Sequence, residues 1–117
     1  VESLLLDEYC MAHVVNLCEV YYDCLLRGEN RDLAREVITD LESLGLVSRD
    51  DIDRQFWETV GFYKAETRRA SLEVSLADCF AMSLTEREGA KLVTSDHSEF
   101  DPVIKEGFFP HQIMFIR

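Results

Sequence analysis

Three acidic residues, Glu19, Asp78 and Asp96, have addresses suited to joint chemistry. Glu19 follows the short apolar, β-branched run MAHVV, which covers residues 11–15. Asp96 comes at the carboxyl end of a second such run, AKLVT, over residues 90–94, and Asp78 lies in the first turn of a helix opened by Ser75. In open parallel sheets, ligands bind beyond the carboxyl ends of the strands, where the following loops and helix starts gather. Three carboxylates converging there would make a hard oxygen site suited to Mg²⁺ or Mn²⁺. Without a cation such a cluster repels itself, and at least one carboxyl resists ionisation.

The same residues have plainer roles open to them. Asn16-x-x-Glu19 and Ser75-x-x-Asp78 both show capping-box spacing, in which the acid reaches back to the N-cap amide. The helix dipole also favours acids in first turns, and Asp96 suits the opening of a turn. Position alone leaves both readings standing.

The elements that must position these residues alternate between helical and extended. Residues 1–7 read as the tail of a helix, and residues 11–15 as a buried strand. Asn16 is expected to start a helix with Leu17, Val20, Tyr21, Cys24 and Leu25 on one face, closed by Gly28. A second helix spans about residues 31–44, with Leu33, Val37, Ile38, Leu41 and Leu44 inward and Arg31 and Arg35 outward. Leu46 and Val47 read as a short strand. Asp50 or Asp51 is expected to cap the next helix, which carries Ile52, Phe56, Trp57 and Val60 to about residue 69, with Gly61 as a weak point. Ser75 opens the clearest helix, with Leu76, Phe80 and Leu84 spaced by four and Gly89 at its end. Residues 90–94 read as a strand, a loop containing Pro102 and Gly107 follows, and residues 112–116 supply a last strand. Strands separated by helices imply crossover connections, hence an α/β class with a mainly parallel central sheet.

The 117 residues suit one compact domain, and a hydrophobic content of 47% is enough to build its core. No apolar run approaches the roughly 18 residues that a bilayer span needs, and no signal-peptide pattern opens the sequence, so no membrane association is expected. Cys10, Cys18, Cys24 and Cys79 form no CxxC pair and sit in apolar runs, which points to a reducing, cytoplasmic compartment rather than to disulfides. The net charge of −11 opposes simple electrostatic binding to nucleic acid. Acids that hold a divalent cation contribute to that total, and the cation then presents positive charge to phosphate.

Other candidate groups carry less. His13 and His111 read as packed or surface residues, while His97 directly follows Asp96 and is placed to touch substrate or metal. Lys64, Arg68 and Arg69 form a basic helix face that would either guide a nucleic acid or simply be solvated. Phe56, Trp57 and Tyr63 on that helix are expected in the core.

The stretch SLADCFAMSLTEREGAKLVTSDHSEF, residues 75–100, resembles the PIN domain, especially the VapC-type toxins of bacterial toxin–antitoxin pairs. There, a Ser-x-x-Asp helix start leads through an alanine-rich helix and a glycine to a strand ending in Thr-x-Asp. The corresponding residues are Ser75, Asp78, Gly89, Thr94 and Asp96. The earlier VVNLCEVYY is similar to the family's strand and helix carrying a Glu, which falls on Glu19. The resemblance implies a three-layer α/β/α PIN-like fold and a metal-dependent endoribonuclease, in which Mg²⁺ or Mn²⁺ activates water for attack on the RNA phosphodiester. It implies Glu19, Asp78 and Asp96 as ligands, with Asn16, Thr94 and Ser95 as supporting groups, His97 as an accessory and Glu99 as a possible fourth acid. An RNA substrate, a cognate antitoxin and a homodimer are implied as partners.

The family pattern opens on a strand ending in Asp, whereas this sequence starts midway through the first helix. A missing central strand would leave backbone groups unpaired. The expectation is therefore one PIN-like domain over residues 1–117 whose first strand belongs to a longer chain. The alternative is a non-catalytic PIN-like module that has lost this Asp and binds a protein partner.

Overall fold

The computed structural model describes residues 2–94, 97–107, 109 and 113–115, without the side chains of residues 2, 3 and 97. It comprises two compact units, Val1–Asp50 and Asp51–Arg117.

The first unit contains α1 (Glu2–Asp7), β1 (Met11–His13), α2 (Val14–Leu26), α3 (Arg31–Ser43) and β2 (Val47–Arg49). β1 and β2 pair in parallel, from Met11 opposite Val47 to His13 opposite Arg49. Two helices between the strands provide the crossover that parallel pairing requires. The start of α2 differs from the sequence expectation. His13, not Asn16, is the N-cap, and its Nδ1 accepts a hydrogen bond from the Val15 amide at 3.1 Å. The buried imidazole ends the strand and opens the helix in one residue. A histidine acceptor lies outside the usual cap vocabulary of Ser, Thr, Asp and Asn, so spacing pointed three residues too late.

α3 is capped by Asn30, whose Oδ1 accepts from the Leu33 amide at 2.9 Å. Leu33, expected inward, is exposed, and Ala34 is fully buried instead. Which face a helix turns inward follows from its neighbours, here α2, with which α3 is in contact, and not from apolar spacing alone.

The second unit contains α4 (Arg54–Arg69), α5 (Leu76–Glu88), β3 (Leu92–Thr94), α6 (His97–Glu106) and β4 (Ile113–Phe115). β3 and β4 are parallel, with Leu92 opposite Ile113 and Thr94 opposite Phe115. The α/β class and the parallel pairing match the sequence expectation. Residues 112 and 116 of the expected last strand lie outside the described residues. Phe56, Val74, Met82, Phe100 and Val103 are buried to within 1% and form the centre of this unit.

Three expectations for α4 are corrected. Its cap is Asp53, not Asp50 or Asp51, and Asp53 Oδ1 accepts from the Phe56 amide at 3.0 Å. Ile52 and Trp57 are exposed rather than in the core; Trp57 lies under the Arg54 guanidinium, 5.8 Å from the ring centroid. Gly61 does not interrupt the 16-residue helix. Phe56 and Tyr63 are buried as expected.

Arg87, in the last turn of α5, fastens the start of α4. It donates to Asp51 Oδ2 at 2.9 Å and to both carboxylate oxygens of Asp53 at 2.6 and 2.7 Å, and it lies 5.1 Å above the Phe56 ring. The Arg87 hydrogen bond and the Phe56 amide hold the Asp53 carboxyl down at about 2. A carboxyl depressed in the folded state stabilises the fold fully above its unfolded value, near 4, and that contribution is lost as pH falls through 2. Acid titration of denaturant stability should therefore show Asp53→Asn losing less stability than the parent between about pH 4 and 2. Equal slopes in both proteins would contradict the pairing.

α5 begins and ends as expected, with Ser75 as N-cap and Gly89 in the left-handed region at φ +60. Of its residues spaced by four, Leu84 is buried and Leu76 is exposed. α6 replaces the expected loop and accommodates Pro102 in its interior. Phe100 and Val103, three residues apart, share its buried face. Their burial offsets the roughly 3 kcal/mol that an internal proline costs.

Candidate functional site

Asp78 is the third residue of α5, half-buried, and its surroundings differ from a simple capping box. The Ser75 hydroxyl accepts from the Asp78 amide at 3.1 Å and donates to Asp78 Oδ2 at 2.8 Å. The Ser75 amide, which a capping box would give to Asp78, donates instead to Glu99 Oε1 at 2.8 Å. Asp78 and Glu99 thus meet at Ser75, although Glu99 comes from the first turn of α6.

The buried Cys79 thiol reports the charges around this point. Burial pushes it up to about 11; the Lys64 cation opposes the rise, and the Asp78 and Glu99 carboxylates add to it. Lys64 Nζ donates to the Val74 carbonyl at 2.6 Å, one residue before the cap. The Lys64 ammonium is therefore engaged with the backbone just before α5, although Lys64 and Arg68 stand one turn apart on α4. Arg68 is exposed and Arg69 pairs with Glu66. Sequence reasoning missed the role of Lys64, for which spacing carries no signal.

Glu19 and Asn16 belong to the first unit. Because α2 starts at Val14, Glu19 is its sixth residue, in the second turn rather than the first, and the capping-box reading of this pair is withdrawn. Glu19 is exposed, while Asn16 is half-buried with its Oδ1 sealed from solvent. Thr94 ends β3 and is half-buried. Ser95, Asp96 and His111 lie outside the described residues, as does the side chain of His97. Among the described residues, no three His, Cys, Asp or Glu side chains gather as a metal-binding group. Asp78 nonetheless fits a divalent cation in type. It is a hard carboxylate donor, oriented by a hydroxyl and relieved of the cap amide.

An open groove of about 590 Å³ along α4, lined by Arg54, Gln55, Glu58, Thr59, Phe62 and Glu86, contains none of these residues. No helix among the described residues is long and apolar enough to cross a membrane.

The order Ser75, Asp78, Gly89, Thr94 on helix, turn and strand now has its geometry, and the family profile described as PIN domain matches residues 1–104. The chain belongs to the PIN domain family. Its fold is similar to that of a chain in the crystal structure of VapBC2 from Rickettsia felis bound to a DNA fragment from their promoter. That likeness has a TM-score of 0.67 at 18% identity, covering 97% of this chain and 80% of the other. No curated protein matches the chain. As a PIN domain, it has the α/β fold that the resemblance implied.

Proposed function

We propose that this PIN domain is a metal-dependent endoribonuclease that hydrolyses RNA phosphodiester bonds, and that it serves as the toxin of a toxin–antitoxin pair. The observation that carries the reading is the start of α5. There a family-typical Ser-x-x-Asp sequence presents Asp78 with its carboxylate aligned by the Ser75 hydroxyl and with the cap amide taken by another residue. Glu19, Asp78 and Asp96 would hold Mg²⁺ or Mn²⁺, with Asn16, Thr94, Ser95 and His97 supporting substrate or ligands. When bound, the metal lowers the pKa of water and neutralises charge on the phosphate.

The chain's own residues orient and position. Ser75 fixes the rotamer of Asp78, and the amino end of α5 adds its positive dipole near an approaching phosphate. The net charge of −11 repels RNA in the absence of a divalent ion, so substrate binding itself should depend on the metal. The fold likeness to a chain of VapBC2 supports an antitoxin partner. A homodimer, a cytoplasmic location and one functional domain over residues 1–117 complete the proposal.

RNA cleavage with Mn²⁺, with EDTA, and in the Glu19→Gln and Asp96→Asn variants tests it. Cleavage that EDTA abolishes and that both variants lose, at unchanged circular dichroism, supports the nuclease. A parent that neither binds Mn²⁺ nor cuts RNA overturns it, in favour of a partner-binding module.

A further inference from the structure

The peptide group joining Val74 to Ser75 is held from both sides by side chains of opposite charge. Lys64 Nζ from α4 donates to its carbonyl oxygen at 2.6 Å, and its N–H donates to Glu99 Oε1 from α6 at 2.8 Å. Charge-assisted hydrogen bonds are roughly twice as strong as neutral ones, and two on one peptide plane fix its orientation. This plane immediately precedes α5, so it sets the direction from which Ser75 and Asp78 leave the turn. All four participants are partly or wholly buried, and Val74 is 1% exposed. The clamp also settles which acid caps the helix. In a capping box the Asp78 carboxylate would turn back to the Ser75 amide. Here Glu99, 24 residues further on, occupies that amide.

We infer that Lys64 and Glu99 are positioning residues, a clamp on the Val74–Ser75 peptide that frees the Asp78 carboxylate from capping and aims it at the metal. This rests on the nuclease reading for its purpose, although the clamp can be measured without metal. Glu99 acts through Ser75 and is not itself a ligand.

Two readouts on the intact protein test the clamp, Ser75 amide exchange by NMR in metal-free buffer and Mn²⁺ affinity by calorimetry. Glu99→Ala should speed Ser75 exchange about tenfold or more and weaken Mn²⁺ binding about 10- to 100-fold. Glu99→Gln keeps a carbonyl oxygen to accept from Ser75, so both values should stay within about threefold of the parent. Lys64→Met gives the sharpest sign. Removing a cation near the acids tightens Mn²⁺ by Coulomb attraction alone, whereas loss of positioning weakens it. Weaker binding by Lys64→Met, with rescue in Glu99→Gln, supports the clamp. Tighter binding by Lys64→Met, or a Glu99→Gln as damaging as Glu99→Ala with Ser75 exchange unchanged, overturns it. If the parent binds no Mn²⁺, the nuclease reading fails, and Ser75 exchange in Glu99→Ala alone decides whether the clamp exists.

Discussion

On the proposed nuclease reading, Asp78→Asn should lower RNA cleavage on the order of 100- to 1,000-fold while the folded structure stays as it is. A ligand's share of metal-based charge stabilisation is worth several kcal/mol, and each 1.4 kcal/mol is about tenfold in rate. The fold survives because asparagine preserves the local bonds. Its side-chain oxygen still accepts from the Ser75 hydroxyl, and the backbone amide of residue 78 still donates to Ser75 Oγ. What disappears is a negative charge near the positive end of α5, worth about 0.3–1 kcal/mol of stability. Single-turnover cleavage beside thermal unfolding makes the comparison. Asp40→Asn, on an exposed position of α3, serves as the control and should leave both unchanged. Full activity in Asp78→Asn would remove the start of α5 from the chemistry altogether.

The largest effect on stability is expected at Phe56. Its ring is 1% exposed, meets Phe80 at 5.9 Å between centroids, and carries the Arg87 guanidinium on its other contact at 5.1 Å. Phe56→Ala removes this packing and leaves a cavity that the neighbours only partly fill, at a cost of about 3–5 kcal/mol. The loss is compounded because the same ring supports Arg87, which joins α5 to Asp51 and Asp53 at the entry to α4. Trp57→Ala, one residue on, should cost about 1 kcal/mol or less, because half of that side chain already faces solvent. Urea unfolding with an unchanged m-value separates the two. A Phe56→Ala loss no larger than that of Trp57→Ala would show that the α4–α5 contact does not depend on this ring.

Tyr63 extends the same contact toward alkaline pH. Burial and the hydrogen bond its hydroxyl donates to Glu86 at 2.6 Å both push the phenol above its usual range. An acid raised in the folded state stabilises the fold below its unfolded value, near 10, and that contribution fades at higher pH. The α4–α5 contact is thus weakened by acid at Asp53 and by alkali at Tyr63.

What the sequence determined by itself is what local physics controls. Ser75 and Gly89 bound α5 because a hydroxyl satisfies an amide three residues away and a glycine takes a left-handed turn without strain. Parallel pairing followed from helices standing between strands, and the address of Asp78 followed from Ser75. The tertiary structure decided whatever depends on a neighbour remote in sequence. It made His13 a buried cap, brought Arg87 from α5 onto both Asp51 and the α4 cap Asp53, and turned Ala34 inward while leaving Leu33 and Trp57 exposed. It held α6 as a helix around Pro102 because Phe100 and Val103 had a core to enter. It also gave the Ser75 amide to Glu99 and the Val74 carbonyl to Lys64. Spacing along one helix cannot encode such partners, because they are brought close only when separate elements pack and share the burial of one peptide group.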